Sequence, residues 1–199
     1  MLSAAAIPIA APSANRYQSV SPTTAAHVER SLGLDAIAWL IDGGPTPIGI
    51  ESTVVDLTGA QPMLLRPGGL ETSMIEAITG PLGRIEALAE ELPRASPGLA
   101  ARHYSPNARV ELVERASMSA LAQAGPGPVG AIVRSPAEFE GLDHVLELSE
   151  DPKIYARLLY AALYTLDELG CPRILVERLP EDGAWSALRD RLDRAATQA

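Results

Sequence analysis

The segment APSANRYQSVSPTT (residues 11–24) places Ser13, Asn15 and Ser21 close together, between an apolar run and a helix-like stretch. A loop that leaves a strand and enters a helix turns hydroxyls, an amide and unpaired backbone N–H groups toward the positive end of a helix dipole, which suits a phosphate. The structural alternative is that Ser13 and Asn15 satisfy their own turn and Ser21 only caps its helix. Further along, GIESTVVDLT puts Glu51, Ser52 and Thr53 at the start of an apolar strand. There Ser52 either faces a cleft that holds a small polar substrate or is an ordinary strand residue. Arg66 lies between MLL and PGG, a strand end apt for charge-assisted bonds to phosphate or for a surface ion pair. His103 and Tyr104 sit in SPGLAARHYSPN, where they dock a linker on a domain face or serve a site.

These groups need elements to hold them. AAIPIAA (residues 5–11) predicts a buried strand, and SPTTAAHVERSLG predicts a helix with Ser21 as N-cap, Pro22 at its first position and Gly33 past its end. AIAWLIDGG (36–44), IESTVVDLT and PMLLRPGG predict three short strands. TSMIEAITG carries a Ser73-to-Glu76 capping box before a helix that stops at Gly80. Residues 81–107, with Pro81, Pro93, Pro97 and Pro106 around RIEALAEEL, have the composition of an interdomain linker.

From residue 108 the pattern alternates. ARVELVE, VGAIVRS, HVLELS and RILVE are strands; SMSALAQA, residues 152–169 and residues 184–196 are helices. In the long helix, Ile154, Leu158, Ala161, Ala162, Leu166 and Leu169 are the expected core face. The alternation predicts a small α/β domain with an open, largely parallel sheet.

Composition narrows the class. A chain of 199 residues with 47% apolar residues has room for one sizeable core or two small ones, and no run reaches the ~18–20 apolar residues of a membrane span. The N-terminal apolar stretch lacks a basic n-region and is interrupted by Pro8 and Pro12, unlike a secretory signal. A net charge of -9, with fifteen arginines and one lysine, Lys153, is wrong for a broad nucleic-acid footprint. Cys171 is the single cysteine, which rules out an internal disulfide and suits a reducing, cytoplasmic compartment. His27, His103 and His144 are far apart and no His/Cys spacing matches a zinc site.

APSANRYQSVSPTTAAHV, IDGGPTPIGIESTVVDL, LLRPGG and SPGLAARHYSPNARV follow one another in that order. Together with the tail IYARLLYAALYTLDELGCPRILVERLP they resemble the threonylcarbamoyl-AMP synthase family in its long form. The resemblance implies an α/β fold: part of a YrdC-like twisted-sheet domain that binds ATP and threonine (1–80), a linker that folds over the site as a lid (81–107), and a small Rossmann-like α/β domain (108–199). It implies an L-threonylcarbamoyladenylate synthase, a nucleotidyltransferase using L-threonine, bicarbonate and ATP with Mg²⁺. The product would pass to a partner transferase that modifies adenosine 37 of tRNA, with weak or no direct tRNA binding by this chain and no membrane association. Position by position, the resemblance puts Ser13, Asn15, Ser21, Arg66, His103 and Tyr104 at ATP, and Ala11 and Ser52 at threonine. No general acid or base is assigned, because phosphoryl-type transfer depends mainly on positioning and charge neutralisation.

One part of the family pattern has no match here: a Lys-x-Arg pair that grips the ATP phosphates, since Lys153 is followed by Ile154 and Tyr155. The expectation is therefore a fragment lacking the N-terminal half of its first domain and nearly inactive alone. Two alternatives stay open: a non-catalytic nucleotide-binding or regulatory module, and a chain in which only the C-terminal domain folds, as an interaction domain.

Overall fold

A computed structural model describes residues 2–84 and 104–197. Of the expected helical patch RIEALAEEL only Arg84 is described; residues 85–92 and His103 lie outside the described residues.

The C-terminal half follows the predicted alternation. Strands β4 (Arg109–Val113), β5 (Val129–Val133), β6 (His144–Glu147) and β7 (Arg173–Glu177) form a wholly parallel sheet in the order β4-β7-β5-β6. Parallel strands need crossovers: α4 (Met118–Ala122) carries the chain from β4 to β5 across β7, and α5 (Pro152–Glu168) carries it from β6 to β7 across β5. Because side chains alternate along a strand, each sheet face has its own core. Val110, Ile132, Ile174 and Val176 pack under α5 and the final helix α6 (Ser186–Ala196). Val113, Val129, Val133 and Leu175 pack against Met118 and Ala122 of α4.

Helix α5 starts where its caps dictate: Asp151 accepts from Lys153 N at 2.7 Å and Ile154 N at 3.2 Å, and Pro152 occupies the first turn. Its buried face corrects the expectation. Tyr155, Ala156, Leu159, Tyr160, Leu163 and Tyr164 are buried together with Ala162 and Leu166, whereas Ile154 and Leu169 are exposed. An apolar-only stripe omits tyrosines, whose rings bury as well as Leu; the Tyr160 and Tyr164 hydroxyls find acceptors in Glu51 and Val20 O, while the Tyr155 hydroxyl has none among the described residues.

The first half is less regular. β1 (Val54–Asp56) pairs antiparallel with β2 (Met63–Arg66), and β2 pairs parallel with β3 (Gly83–Arg84). Two expected strands do not form. Of residues 5–11, Ala5 ends a single helical turn, α1 (Leu2–Ala5), and the rest leave Ile7 and Ile9 exposed; residues 36–44 leave Trp39 and Ile41 exposed. A strand is stable only when its N–H and C=O groups pair, and neither segment has a ladder partner among the described residues.

Two helix starts also move. Helix α2 (Ala25–Leu32) begins after Thr24, whose hydroxyl accepts from His27 N at 3.3 Å, so neither Ser21 nor Pro22 opens it; Gly33 does end it. Helix α3 (Thr72–Thr79) ends at Gly80 as expected, but Glu71 stands at its N-cap and no capping box forms. Glu76 instead accepts from Leu82 N at 3.1 Å, a bond that steadies the turn beyond the helix. Among the described residues no helix is long and apolar enough to cross a membrane.

The two halves are sewn together. Ser105 N donates to Gln18 O at 3.0 Å, and the Tyr164 hydroxyl donates to Val20 O at 2.9 Å. Gly49, with φ +89°, lies directly against the backbone of α5 at Ala156 and Arg157. These contacts bring the approach to β1 and residues 18–21 to the flank of α5.

Candidate functional site at the junction

At this junction stands Glu51, one residue before Ser52 and three before β1. Its Oε1 accepts the Ser21 hydroxyl at 2.6 Å; its Oε2 accepts the Tyr160 hydroxyl at 3.0 Å and Arg191 Nε at 2.9 Å. Three elements thus meet on one carboxylate: the loop before α2, helix α5 and helix α6. Arg191 is completely enclosed, its Nη1 paired with Asp190 at 2.7 Å and its guanidinium lying 5.1 Å from the Tyr104 ring centroid. Tyr104 in turn stacks on Tyr160 at 5.9 Å. Arg191 Nη2 is buried without a hydrogen-bond partner among the described residues.

The charges follow from this packing. Burial by itself pushes the Glu51 carboxyl up, but the Arg191 charge and the hydrogen bonds from Ser21 and Arg191 outweigh it and hold the group below the usual carboxylate range. Glu51 is therefore an anion, and Ser21 must be the donor in their contact. Burial, with the Glu51 charge added, raises the Tyr160 hydroxyl well above its ordinary value, so it too stays a donor. Tyr104 is raised for the same two reasons, against the opposing charges of Arg191 and Arg66.

On the other side of Glu51, Arg66 closes the end of β2 over the same turn. Its Nε donates to Ser52 O at 3.2 Å and its Nη2 reaches Ser52 Oγ at 3.5 Å. Gly68 makes the turn possible, since a β-carbon there would fall 2.5 Å from Glu51 O. Arg66 is nearly buried and Ser52 exposed, so the guanidinium braces the Ser52 backbone from beneath.

The structure therefore gathers Ser21, Ser52, Arg66 and Tyr104 around Glu51. Asn15 follows the structural alternative in part: its Nδ2 donates to Arg16 O and Ser19 O, both at 2.9 Å, closing its own loop, while its Oδ1 is buried without a partner among the described residues. Ala11 and Ser13 lie exposed on the segment leading into that loop. Sequence reasoning passed over Glu51, Tyr160 and Arg191. A signal for Arg191 was present: it shares the core stripe of α6 with Ala187, Leu188, Leu192 and Ala195, and an arginine in an apolar stripe requires a buried partner.

Below the junction lies a mostly apolar cavity of about 260 Å³, between Ile48, Leu70, Ala156 and Leu188. A more polar one of about 350 Å³ lies between Arg16, Arg30, Asn107 and Asp167. Among the described residues no three His, Cys, Asp or Glu side chains gather as a metal cage.

Comparison with known proteins places these features. A family profile described as "Threonylcarbamoyl-AMP synthase, C-terminal domain" matches residues 70–197, and one described as "Telomere recombination" matches residues 1–68. The chain is 36% identical to the threonylcarbamoyl-AMP synthase of Bacillus subtilis, with 96% of this chain and 57% of the relative covered. It is 37% identical to that of Pyrococcus abyssi, covering 95% of this chain and 58% of the relative. A crystal structure of P. abyssi Sua5 complexed with L-threonine superposes with a TM-score of 0.87 at 36% identity, covering 98% of this chain and 59% of that one. The chain thus spans less than two thirds of the length of these relatives.

Proposed function

The chain belongs to the threonylcarbamoyl-AMP synthase family, and from that premise we propose that it forms part of an enzyme making threonylcarbamoyl-AMP from L-threonine, bicarbonate and ATP. The threonine amine takes up carbon dioxide, released from bicarbonate with loss of water, as a carbamate. A carbamate oxygen attacks the α-phosphorus, the bond to the β-phosphate oxygen breaks, and pyrophosphate leaves. The observation that carries this reading is the convergence of Ser21, Ser52 and Arg66 on the Glu51 turn, at the junction of the two matched regions.

In this reading residues 1–80 bind ATP and threonine, residues 81–107 form the covering linker and residues 108–199 the C-terminal domain. Arg66 supplies positive charge to the nucleotide while fixing the Ser52 backbone, and the exposed Ser52 hydroxyl meets threonine. Ser13, Asn15, Ser21, His103 and Tyr104 serve ATP, and Ala11 serves threonine. Mg²⁺ arrives as the counterion of the ATP phosphates and screens their charge; the described residues offer it no carboxylate cage. The product serves a downstream cytoplasmic transferase acting on tRNA, and the net charge of -9 favours handover without extensive tRNA contact.

The test is to incubate the purified protein with ATP, L-threonine and ¹³C-bicarbonate and to follow pyrophosphate and labelled threonylcarbamoyl-AMP by mass spectrometry. Threonine-dependent formation of both supports the reading. A fragment is expected to give little product alone and to gain it when the N-terminal half of a full-length relative is supplied; ATP binding with no product even then points to a nucleotide-binding module, and no ATP binding at all overturns the reading.

A further inference from the structure

Two side chains of the C-terminal half reach the Glu51 carboxylate. Tyr160 of α5 and Arg191 of α6 both bind Glu51 Oε2, and nothing in the chemistry of an adenylation requires them to touch substrate. Their effect is on the other oxygen. With Oε2 occupied by two donors, Oε1 is left to accept the Ser21 proton. A hydroxyl has one proton and two lone pairs, so Ser21 has no proton left for a phosphate oxygen.

We propose that Arg191 and Tyr160 are positioning residues: by holding Glu51 from the C-terminal domain they commit the Ser21 proton to Glu51, so that Ser21 meets the nucleotide as an acceptor. Its complement on the ligand is an N–H or O–H, such as an amino group or a phosphate-bound water. This rests on the reading that Ser21 serves ATP, and it gives the C-terminal domain a part in that site. The alternative, a pair that only glues the halves together, leaves the polarity of Ser21 without consequence.

The groups facing Glu51 are Ser21 from the loop, Tyr160 from α5, Arg191 from α6 with Asp190 beside it, and Tyr104, which is flanked by Arg66. Removing Arg191 takes away the one positive charge bonded to the carboxylate among the described residues, so the Glu51 titration must move up. A freed Ser21 proton can then turn away, and the acceptor is lost.

The experiment compares wild type, Arg191→Met, Arg191→Lys, Tyr160→Phe and the core control Leu192→Val in the full chain. Two quantities are read: the Glu51 carboxyl titration by ¹³C NMR, assigned by its loss in Glu51→Gln, and the ATP dissociation constant by calorimetry across pH. Arg191→Met is expected to raise the Glu51 titration and to weaken ATP about threefold to tenfold, the scale of a lost neutral hydrogen bond. Arg191→Lys should recover part of both, and Leu192→Val should lower the melting temperature without moving either. Tyr160→Phe, which deletes only a hydroxyl, should shift both quantities in the same direction by less, and keeps the test alive if Arg191→Met fails to fold. If ATP affinity is unchanged in folded Arg191→Met or, failing that, in Tyr160→Phe, the inference is wrong, whatever Glu51 does. If wild type binds no ATP, the functional reading itself has failed and the inference falls with it.

Discussion

Gly49 lies against Ala156 with no room for a side chain: a β-carbon at Gly49 would collide with the Ala156 carbonyl oxygen and fall 2.5 Å from Arg157 Cα. The same residue has φ +89°, a conformation that L side chains rarely adopt. Steric space and backbone geometry thus both demand glycine where the first half meets α5. Gly49→Ala is expected to cost about 2–4 kcal/mol, from overpacking plus backbone strain. The urea midpoint should fall with an unchanged slope; a midpoint within error of wild type would show that the junction yields easily.

Glu51 makes stability depend on pH. Its folded carboxyl titrates below the ordinary range, so under mildly acidic conditions the unfolded chain binds more protons than the folded one. The stabilisation is fully present above the unfolded carboxylate value and is lost as pH falls through the lower, folded value. Glu177 is lowered as well, its burial outweighed by Arg134 and Arg115, and adds in the same direction. Glu51→Gln should reduce stability at neutral pH and flatten the decline of melting temperature with acid. An identical slope in the variant would refute this assignment.

Arg66 should matter to two ligands at once, because it is proposed to face the nucleotide and is seen to hold Ser52 O at 3.2 Å. Arg66→Ala is expected to weaken ATP about tenfold to a hundredfold, and threonine by less. Arg66→Lys should rescue little, since a lysine offers no planar fork. Calorimetry with each ligand separately checks this; loss of threonine alone would assign Arg66 to the wrong subsite.

Glu177 closes the carboxyl end of β7. It accepts from Arg134 Nη2 at 2.7 Å, Arg115 Nη1 at 2.9 Å and Arg134 N at 2.9 Å, and is itself 2% exposed. Glu177→Ala takes the shared acceptor from the Arg134 guanidinium and backbone N–H, and leaves Arg115 only its bonds to Ser135 O and Pro136 O. The expected cost is about 3 kcal/mol, the low end for breaking a buried pair because both arginines reach solvent. A loss below about 1 kcal/mol in urea titration would mean that the arginines rehydrate freely.

Asp167 near the end of α5 accepts from Asn107 N and Ala108 N, each at 2.9 Å, as the chain enters β4. Asp167→Ala should speed amide hydrogen exchange at those two residues and cost about 1–2 kcal/mol. Unchanged protection there would show that β4 is fixed by its sheet alone.

The sequence by itself determined whatever depends on neighbours along the chain. The α/β alternation after residue 108, the Asp151–Pro152 start of α5 and the glycines ending α2 and α3 were legible because caps, turns and strand periodicity act over a few residues. The ordered motifs likewise identified the family and singled out Ser21, Ser52, Arg66 and Tyr104, which the fold brings to one junction.

Only the tertiary structure decided which group each of these serves. Ser21 carries every local mark of an N-cap, yet Thr24 takes that place and Ser21 turns to a carboxylate thirty residues away. Tyr160 and Arg191 look like an aromatic and a charge on two helices until Glu51 arrives between them. Residues 36–44 have strand composition and no strand, for want of a partner among the described residues. A buried polar group is stable only where its complement is delivered, and that delivery depends on how the two halves dock.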